Sequence, residues 1–394
     1  MTLRRVVFWL HLLTALVAGS IVLSMSLTGV LLAFEPQLAA FSERDRRAVT
    51  PPASGATPQS LDALLAAVST ARPEAAPTRV LVRVEPTASV VVSLGQDDAV
   101  FVDPYTGRIL GPLSGLHRAM HTVVEWHRWL GSRDLGRPIT GSCNLAFLGL
   151  AISGLYLWWP RGWSRQAVRA VSVLDVRLRG RARDFNWHNA IGLWCAPVLI
   201  VLTLTGVVIS YPWASDLLHR LAGSEPPPAP ARGEGGRPDA RAVGGRQQKA
   251  VALGPGVLEA VRQHATREVP GWVSLNVRLP ARPGAPVSAL IEETSAWHPS
   301  PRSQLTLDAA TAAVVRWEPF AQADRGRRLR AWVRPLHTGE AFGIVGQAVA
   351  GLASAGAVVL VWTGIALAWR RYRTWSARPR SADAQSGAAG IIST

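Results

Sequence analysis

Four long stretches of this 394-residue chain contain no Asp, Glu, Lys or Arg: residues 6–34, 138–159, 189–213 and 341–369. Each exceeds the roughly 20 residues that a helix needs to cross bilayer hydrocarbon. Charged residues make up only 17% of the chain against 48% hydrophobic ones, and the apolar excess is concentrated in these blocks, which argues against an ordinary soluble domain. The first block is too long for the ~7–15-residue apolar core of a cleaved signal peptide, so it also reads as a span. Cysteine is nearly absent. The two present, Cys143 and Cys195, fall near opposite ends of their spans, so they make no disulfide framework and read as small buried hydrophobes. There is no CxxCH, which leaves covalent c-type haem unsupported. No GxGxxG follows a strand, so the chain shows no dinucleotide-binding unit of its own.

A net charge of +16 raises the question of nucleic acid, and the placement of the charge argues for a lipid bilayer instead. Arg4 and Arg5 precede the first span. Arg161, Arg165, Arg169, Arg177, Arg179, Arg181 and Arg183 fill the segment 160–187, and Arg370, Arg371 and Arg373 follow the last span. In a four-span chain these three short segments share one side, which the positive-inside rule makes cytoplasmic. The expectation is a multi-pass protein of a bacterial inner (cytoplasmic) membrane, with both termini cytoplasmic and both large loops periplasmic. Nucleic acid is not an expected partner.

The spans repeat. His11 lies 18 residues before Gly29, and His188 lies 18 before Gly206, each glycine closing an LTG. His127 lies 27 residues before Gly154, and His337 lies 27 before Gly364. These spacings read as a duplicated two-helix unit whose halves run in the same sense. Flanking residues included, the spans are assigned to 6–34, 138–159, 188–213 and 337–369, with a tail at 370–394. The outer segments repeat as well. Residues 55–116 and 249–320 each carry a helical pattern followed by alternating, strand-like runs. The fold class expected is therefore an α-helical membrane protein with four transmembrane helices and two small α+β periplasmic domains. A pre-helix segment, 117–137, carries His121 and His127. Residues 224–248, rich in Pro, Gly and Ala, read as a linker.

Topology sorts the histidines by depth. His11 and His188 fall near the cytoplasmic face, and His127 and His337 near the outer face. Ionisable groups in or beside spans usually line a pathway or hold a ligand. Zinc prefers four ligands, often cysteine or carboxylate, and no cysteine sits at the depth of either pair. Proton relays use acidic residues within spans, and these spans have none. Plain structural histidines fit the doubled spacing poorly. Two facing neutral imidazoles match the axial positions of a b-type haem iron, so two haems b are expected, one held by His11 and His188 and the other by His127 and His337. Gly19, Gly29, Gly154 and Gly206 would admit close helices or a flat macrocycle. Trp126, Trp129, Trp187 and Trp194 flank the histidines. His121 is an alternative outer ligand that lacks a counterpart in the second half. His117, His219, His264 and His298 read as surface or loop residues.

The duplicated spans, together with "VDPYTGRILG", "SGLYLWWPR" and "PLHTGEAFG", resemble the PepSY-associated transmembrane family, which includes bacterial ferrisiderophore reductases. The resemblance covers nearly the whole chain. It implies four spans carrying periplasmic PepSY-type domains, haem bound through helix histidines, and a role in iron acquisition. The second α+β unit departs from the motif, with "LDAATAAVV" where the first has "VDPYTGRIL", so that Ala312 stands at the place of Gly107. The function expected is a dihaem conduit, a ferric or ferrisiderophore reductase acting on a periplasmic ferric siderophore or other ferric chelate. Its electrons would come from a separate reductase, a soluble carrier or membrane quinol. The alternative is a non-redox accessory or binding protein that works with a transporter or peptidase.

Overall fold

The computed structural model describes residues 2–53, 55–95, 98–159, 164–227, 253–294 and 300–377. Most of the expected linker, the tail from residue 378 and His298 lie outside them. The first half runs α1 (Leu3–Leu32), α2 (Glu35–Ser42), α3 (Arg44–Arg47), α4 (Leu61–Ala71), β1 (Arg79–Arg83), β2 (Val90–Ser93), β3 (Ala99–Val102), β4 (Ile109–Pro112), α5 (Gly115–Trp129) and α6 (Arg133–Trp158). A short helix, α7 (Arg165–Ser172), precedes the second half. That half comprises α8 (Gly180–Ser210), α9 (Pro212–Leu221), α10 (Val257–Glu268), β5 (Trp272–Arg278), β6 (Val287–Glu293), β7 (Arg302–Leu307), β8 (Val314–Glu318), α11 (Arg325–Thr338) and α12 (Gly343–Ser376). The elements fall into two compact units, one of residues 1–31, 127–210 and 348 onward, the other of residues 32–126 and 211–347.

The first unit contains four helices long and apolar enough to cross a membrane, α1, α6, α8 and α12. Contacts between them run in ascending against descending number. Arg4 donates to the Leu157 carbonyl at 2.6 Å, and His11 meets Ser153. Asn144 donates to the Thr203 carbonyl at 3.0 Å, joining α6 to α8. Arg370 meets Asp184 and Thr363 meets His188, joining α12 to α8. Neighbouring spans are therefore antiparallel, so α1 and α8 point the same way, as a same-sense duplication requires.

Two expected boundaries are corrected. The third span begins at Gly180 rather than at His188, because the helix continues through Arg181 and Arg183 after apolar character ends; His188 therefore lies two turns inside it. The fourth, expected from residue 337, is α12, and His337 and Thr338 end the preceding helix α11. Gly339, at φ 79°, closes α11 one residue after Thr338, and α12 starts at Gly343. The left-handed conformation that stops α11 is one that glycine adopts without strain.

In the second unit the two α+β repeats do not form separate domains. Their eight strands make one antiparallel sheet in the order β4-β3-β2-β1-β5-β6-β7-β8. β1 pairs with β5 from Arg79 opposite Arg278 to Arg83 opposite Ser274. Each repeat alone would leave that strand as an open edge, and pairing the two removes it. Val68 of α4, Leu258 of α10, Val92, Leu275, Ile291 and Leu305 share one hydrophobic core. The Asp62 carboxylate of α4 accepts from the Glu259 N–H in the first turn of α10 at 3.0 Å.

The second repeat's turn is not degenerate in structure. Asp103 Oδ1 accepts from the Tyr105 N–H at 2.8 Å, and Asp308 Oδ1 accepts from the Thr311 N–H at 2.8 Å and the Ala310 N–H at 3.0 Å. Gly107 has φ 71° and Ala312 has φ 60°. The same left-handed turn survives with a methyl group where glycine is easier.

Candidate histidine sites in the span unit

Three of the expected ligands lie in the four-span unit, and the structure seats all three in the same way. His11 Nδ1 lies 2.8 Å from Ser153 Oγ, and a Cβ on Gly154 would stand 3.4 Å from His11 Cε1. His188 Nδ1 lies 3.0 Å from Thr363 Oγ1, and a Cβ on Gly364 would stand 3.4 Å from His188 Cε1. His127 Nδ1 lies 2.8 Å from Thr28 Oγ1, and Gly29 faces its Cε1 at 3.8 Å by the same measure. Each imidazole therefore rests on a hydroxyl-glycine pair of another helix. The equal spacings of the sequence do not pair a histidine with the glycine counted from it: His11 meets Gly154, and His127 meets Gly29.

The hydroxyls fix which ring nitrogen carries the proton. Ser153 Oγ donates to the Gly149 carbonyl at 2.6 Å, Thr28 Oγ1 to the Ser24 carbonyl at 2.8 Å, and Thr363 Oγ1 to the Val359 carbonyl at 2.7 Å. A hydroxyl has one proton, and a carbonyl can only accept. Both contacts of each hydroxyl are satisfied only if the imidazole donates through Nδ1–H. The lone pair is then on Nε2, the nitrogen that a metal would take.

Position along the helices separates the sites into two levels. His11 and Thr28, the seat of His127, are both on α1 and 17 residues apart, about 25 Å at ~1.5 Å rise per residue. His188 shares the level of His11, since α1 and α8 run in the same direction and each histidine is the ninth residue of its helix. The arginine-rich ends of the spans, Arg4 and Arg370 among them, lie about two helical turns beyond this level, at the same end.

Space is available beside the His11 ring. α6 and α8 are the only spans, among the described residues, whose backbones run in extended close contact. α1 meets α12 at isolated points, Gly19 against Val361 and Gly29 against Ser354. A cavity of ≈ 560 Å³ opens between α1 and α6, lined by Val7, His11, Thr14, Ser142, Gly149 and Ser153 among others. That is within the ~300–1,000 Å³ of common ligand pockets. Gly206 serves packing instead, because its Cα faces Asn144, whose Nδ2 would stand 2.9 Å from an added Cβ. Among the described residues no three His, Cys, Asp or Glu side chains converge as a metal cage.

His127 owes its place to a sharp corner. After Trp129 the chain turns through Leu130 (φ 50°) and Gly131 (φ 77°) into α6. Thr140 Oγ1 donates back to the Arg128 carbonyl at 2.7 Å. A Cβ on Gly136 would fall on the Trp129 carbonyl, so the corner closes only with glycine there. Trp129 is held between Arg128 and Arg133, at 4.4 and 4.3 Å. Trp187 and Trp194 donate to the Asp175 and Ser172 carbonyls at 3.2 and 2.9 Å, so they anchor the loop after α7 rather than wall a pocket.

His121 and His337 belong to the other unit, His121 two turns before the end of α5 and His337 in the last turn of α11. Two histidines expected at the surface are not there, and a third, His117, is only partly exposed. His219 and His264 are buried. His117 Nδ1 approaches the carboxylate of Glu43, a fully buried residue, at 3.1 Å. Glu43 also accepts from Arg47 at 2.7 Å and from the Ser114 N–H at 3.2 Å.

The reading of the sequence missed Ser153, Thr28 and Thr363, although the signal was present. Every glycine of the repeat follows a Ser or Thr: Thr28-Gly29, Ser153-Gly154, Thr205-Gly206 and Thr363-Gly364.

The fold is thus that of a four-span helical membrane protein with an antiparallel sheet region and histidines seated at two levels of the spans. Residues 8–371 match the PepSY-associated TM region family, and the chain belongs to that family. A comparison with curated proteins returned no significant match.

Proposed function

We propose that the chain is a transmembrane b-type dihaem electron conduit that reduces chelated ferric iron, siderophore-bound in the first instance, on the periplasmic side. The observation that carries this reading is the triple repeat of one histidine seat, a ring nitrogen at a hydroxyl with glycine beside it, at two levels of the spans. His11 and His188 are the inner pair. His127 and His337 are the outer pair, His337 being assigned on the duplicated sequence spacing alone. When bound between two imidazoles, a haem iron carries one electron at a time by cycling between its ferric and ferrous states.

The residues of this chain supply the rest. Ser153, Thr28 and Thr363 anchor the rings through Nδ1 and so leave Nε2 as the nitrogen for a metal. Gly154, Gly29 and Gly364 let the rings lie against the helices. The apolar spans keep water from the two levels, and a separation of about 25 Å accounts for two sites rather than one, since hydrocarbon is ~30 Å thick. By the positive-inside rule the arginine-rich end, with His11 and His188, faces the cytoplasm. Donor electrons enter there from a separate reductase, a soluble carrier or quinol. Hard oxygen ligands suit Fe(III) better than Fe(II), so reduction loosens the chelate.

The test is an absorption spectrum of the purified protein, followed by reduction of an impermeant ferric chelate outside sealed vesicles that are reduced from the inside. A Soret band with split α/β bands on reduction, and chelate reduction, are expected. A haem-free protein overturns the reading and leaves the non-redox accessory role.

A further inference from the structure

We infer that Ser153 and Thr363 are positioning residues that set the proton tautomer and the iron-binding strength of His11 and His188, and that Thr28 does the same for His127. The inference rests on the haem reading above and deepens it. A histidine ligand requires only Nε2. Here each ring is also held through Nδ1 by a hydroxyl whose own proton is committed to its helix, Ser153 to Gly149 and Thr363 to Val359.

The geometry explains why the hydroxyl is on the residue before a glycine. A Ser or Thr in a helix reaches the carbonyl four residues earlier, which leaves an oxygen lone pair pointing away from the helix. The adjacent glycine presents bare backbone, so the imidazole turns its Nδ1–Cε1 edge to the helix, with Nδ1 at the oxygen and Cε1 at the glycine. A Cβ at Gly154 or Gly364 would stand 3.4 Å from Cε1, already at van der Waals contact, so each ring edge lies directly against its glycine. Thr363 is fully buried, so no water replaces its hydroxyl when it is removed.

An Nδ1–H that donates to an oxygen makes the imidazole a more basic ligand, and partners of this kind are worth about 10–100-fold in metal affinity. A more basic ligand favours ferric over ferrous iron. Removing the hydroxyl should therefore weaken haem retention and raise the midpoint potential of the inner haem. A tenfold change in ferric preference corresponds to ~59 mV for one electron.

The experiment uses Ser153→Ala, Ser153→Thr, Thr363→Ala and Thr363→Ser in the full chain. It measures the haem-to-protein ratio, the spectroelectrochemical potentials and, in haem-free protein labelled with ¹⁵N-histidine, the ring nitrogen shifts. Expected are Nδ1-protonated rings in the unsubstituted protein and an upward shift, or loss, of one haem in both alanine variants. Near-normal behaviour should return in Ser153→Thr and Thr363→Ser. A spectrum with two haems whose potentials ignore both alanine substitutions, or rings protonated on Nε2, overturns the inference while the conduit stands. An unsubstituted protein that takes up no haem overturns the conduit, and the nitrogen shifts still decide the tautomer. Should one alanine variant fail to accumulate, the other pair gives the same decision.

Discussion

Asp184 Oδ2 accepts a hydrogen bond from Arg370 Nε at 3.3 Å, one turn of α8 before His188 and two turns of α12 after Thr363. The same seam continues through Gly192 against Leu360 and Cys195 against Gly356. Asp184 is 1% exposed and also pairs with Arg183 at 2.8 Å. The carboxylate therefore ties the third and fourth spans together at the level of the inner histidines.

Two partners on one buried carboxylate make the losses non-additive. Arg370→Ala alone leaves Asp184 paired with Arg183 and should cost about 1 kcal/mol, since Arg370 is half exposed and such pairs are weak. Replacing both arginines leaves a buried charge without a countercharge, a loss of about 3–5 kcal/mol. Thermal midpoints in detergent should fall more for the double variant than for the two single variants added together.

The turn at Ala312 offers a gain instead. A non-glycine residue in the left-handed region costs roughly 1–2 kcal/mol, and Ala312 has φ 60° with its flanking turn bonds intact. Ala312→Gly should stabilise the sheet by about 1 kcal/mol. Gly107→Ala should destabilise it by at least as much, because its Cβ would also stand 3.3 Å from Gln59 Oε1. Hydrogen exchange of the β3–β4 and β7–β8 amides measures both changes.

How much of this was legible in the sequence depends on the kind of information. The spans were legible because freedom from charge over more than 20 residues leaves few other outcomes, and the alternating strands because burial alternates along them, as in β2 and β7. The single sheet was not legible. Pairing of β1 with β5 joins residues nearly 200 positions apart, and nothing local in "TRVLVRVEP" or "SLNVRLP" names its partner. Helix ends failed for a related reason: hydropathy marks where lipid ends, whereas hydrogen bonding marks where the helix ends, and at Gly180 these differ by two turns. The histidines were visible as a repeat, but which helix each one faces depends on the packing of α1, α6, α8 and α12.

Acid should loosen the second repeat locally. His264 is buried against Trp317, with ring centroids 4.8 Å apart. Burial pushes its imidazole below the ordinary value; neighbouring Glu268 opposes this and Arg267 adds to it. Since the folded value is below the unfolded ~6.5, falling pH lets the unfolded segment take up a proton that the folded one refuses. Stability is thus complete above about pH 6.5, declines below it, and levels off once the folded imidazole also protonates. Exchange protection of α10 and β8 should fall between pH 7 and 5 in the unsubstituted protein. His264→Gln should remove that slope whatever it does to the overall level.

The sharpest prediction concerns which histidines act together. Depth along the spans puts His11 and His188 at one level and His127 at the other, and the duplicated spacing assigns His337 with His127. His11→Ala and His188→Ala should therefore each lose the same haem, and the remaining haem should have the same potential in both. His127→Ala and His337→Ala should each lose the other haem and abolish reduction of an external ferric chelate, while the inner haem stays reducible from the cytoplasmic side. His121→Ala should retain both haems, because His121 has no counterpart in the second half. Haem-to-protein ratios with reduced-minus-oxidised spectra of the five variants decide the pairing. Full haem content in His337→Ala, or loss in His121→Ala without loss in His127→Ala, would show that the outer ligands are wrongly assigned. Loss of different haems in His11→Ala and His188→Ala would break the inner pair, and with it the reading of two bridged levels.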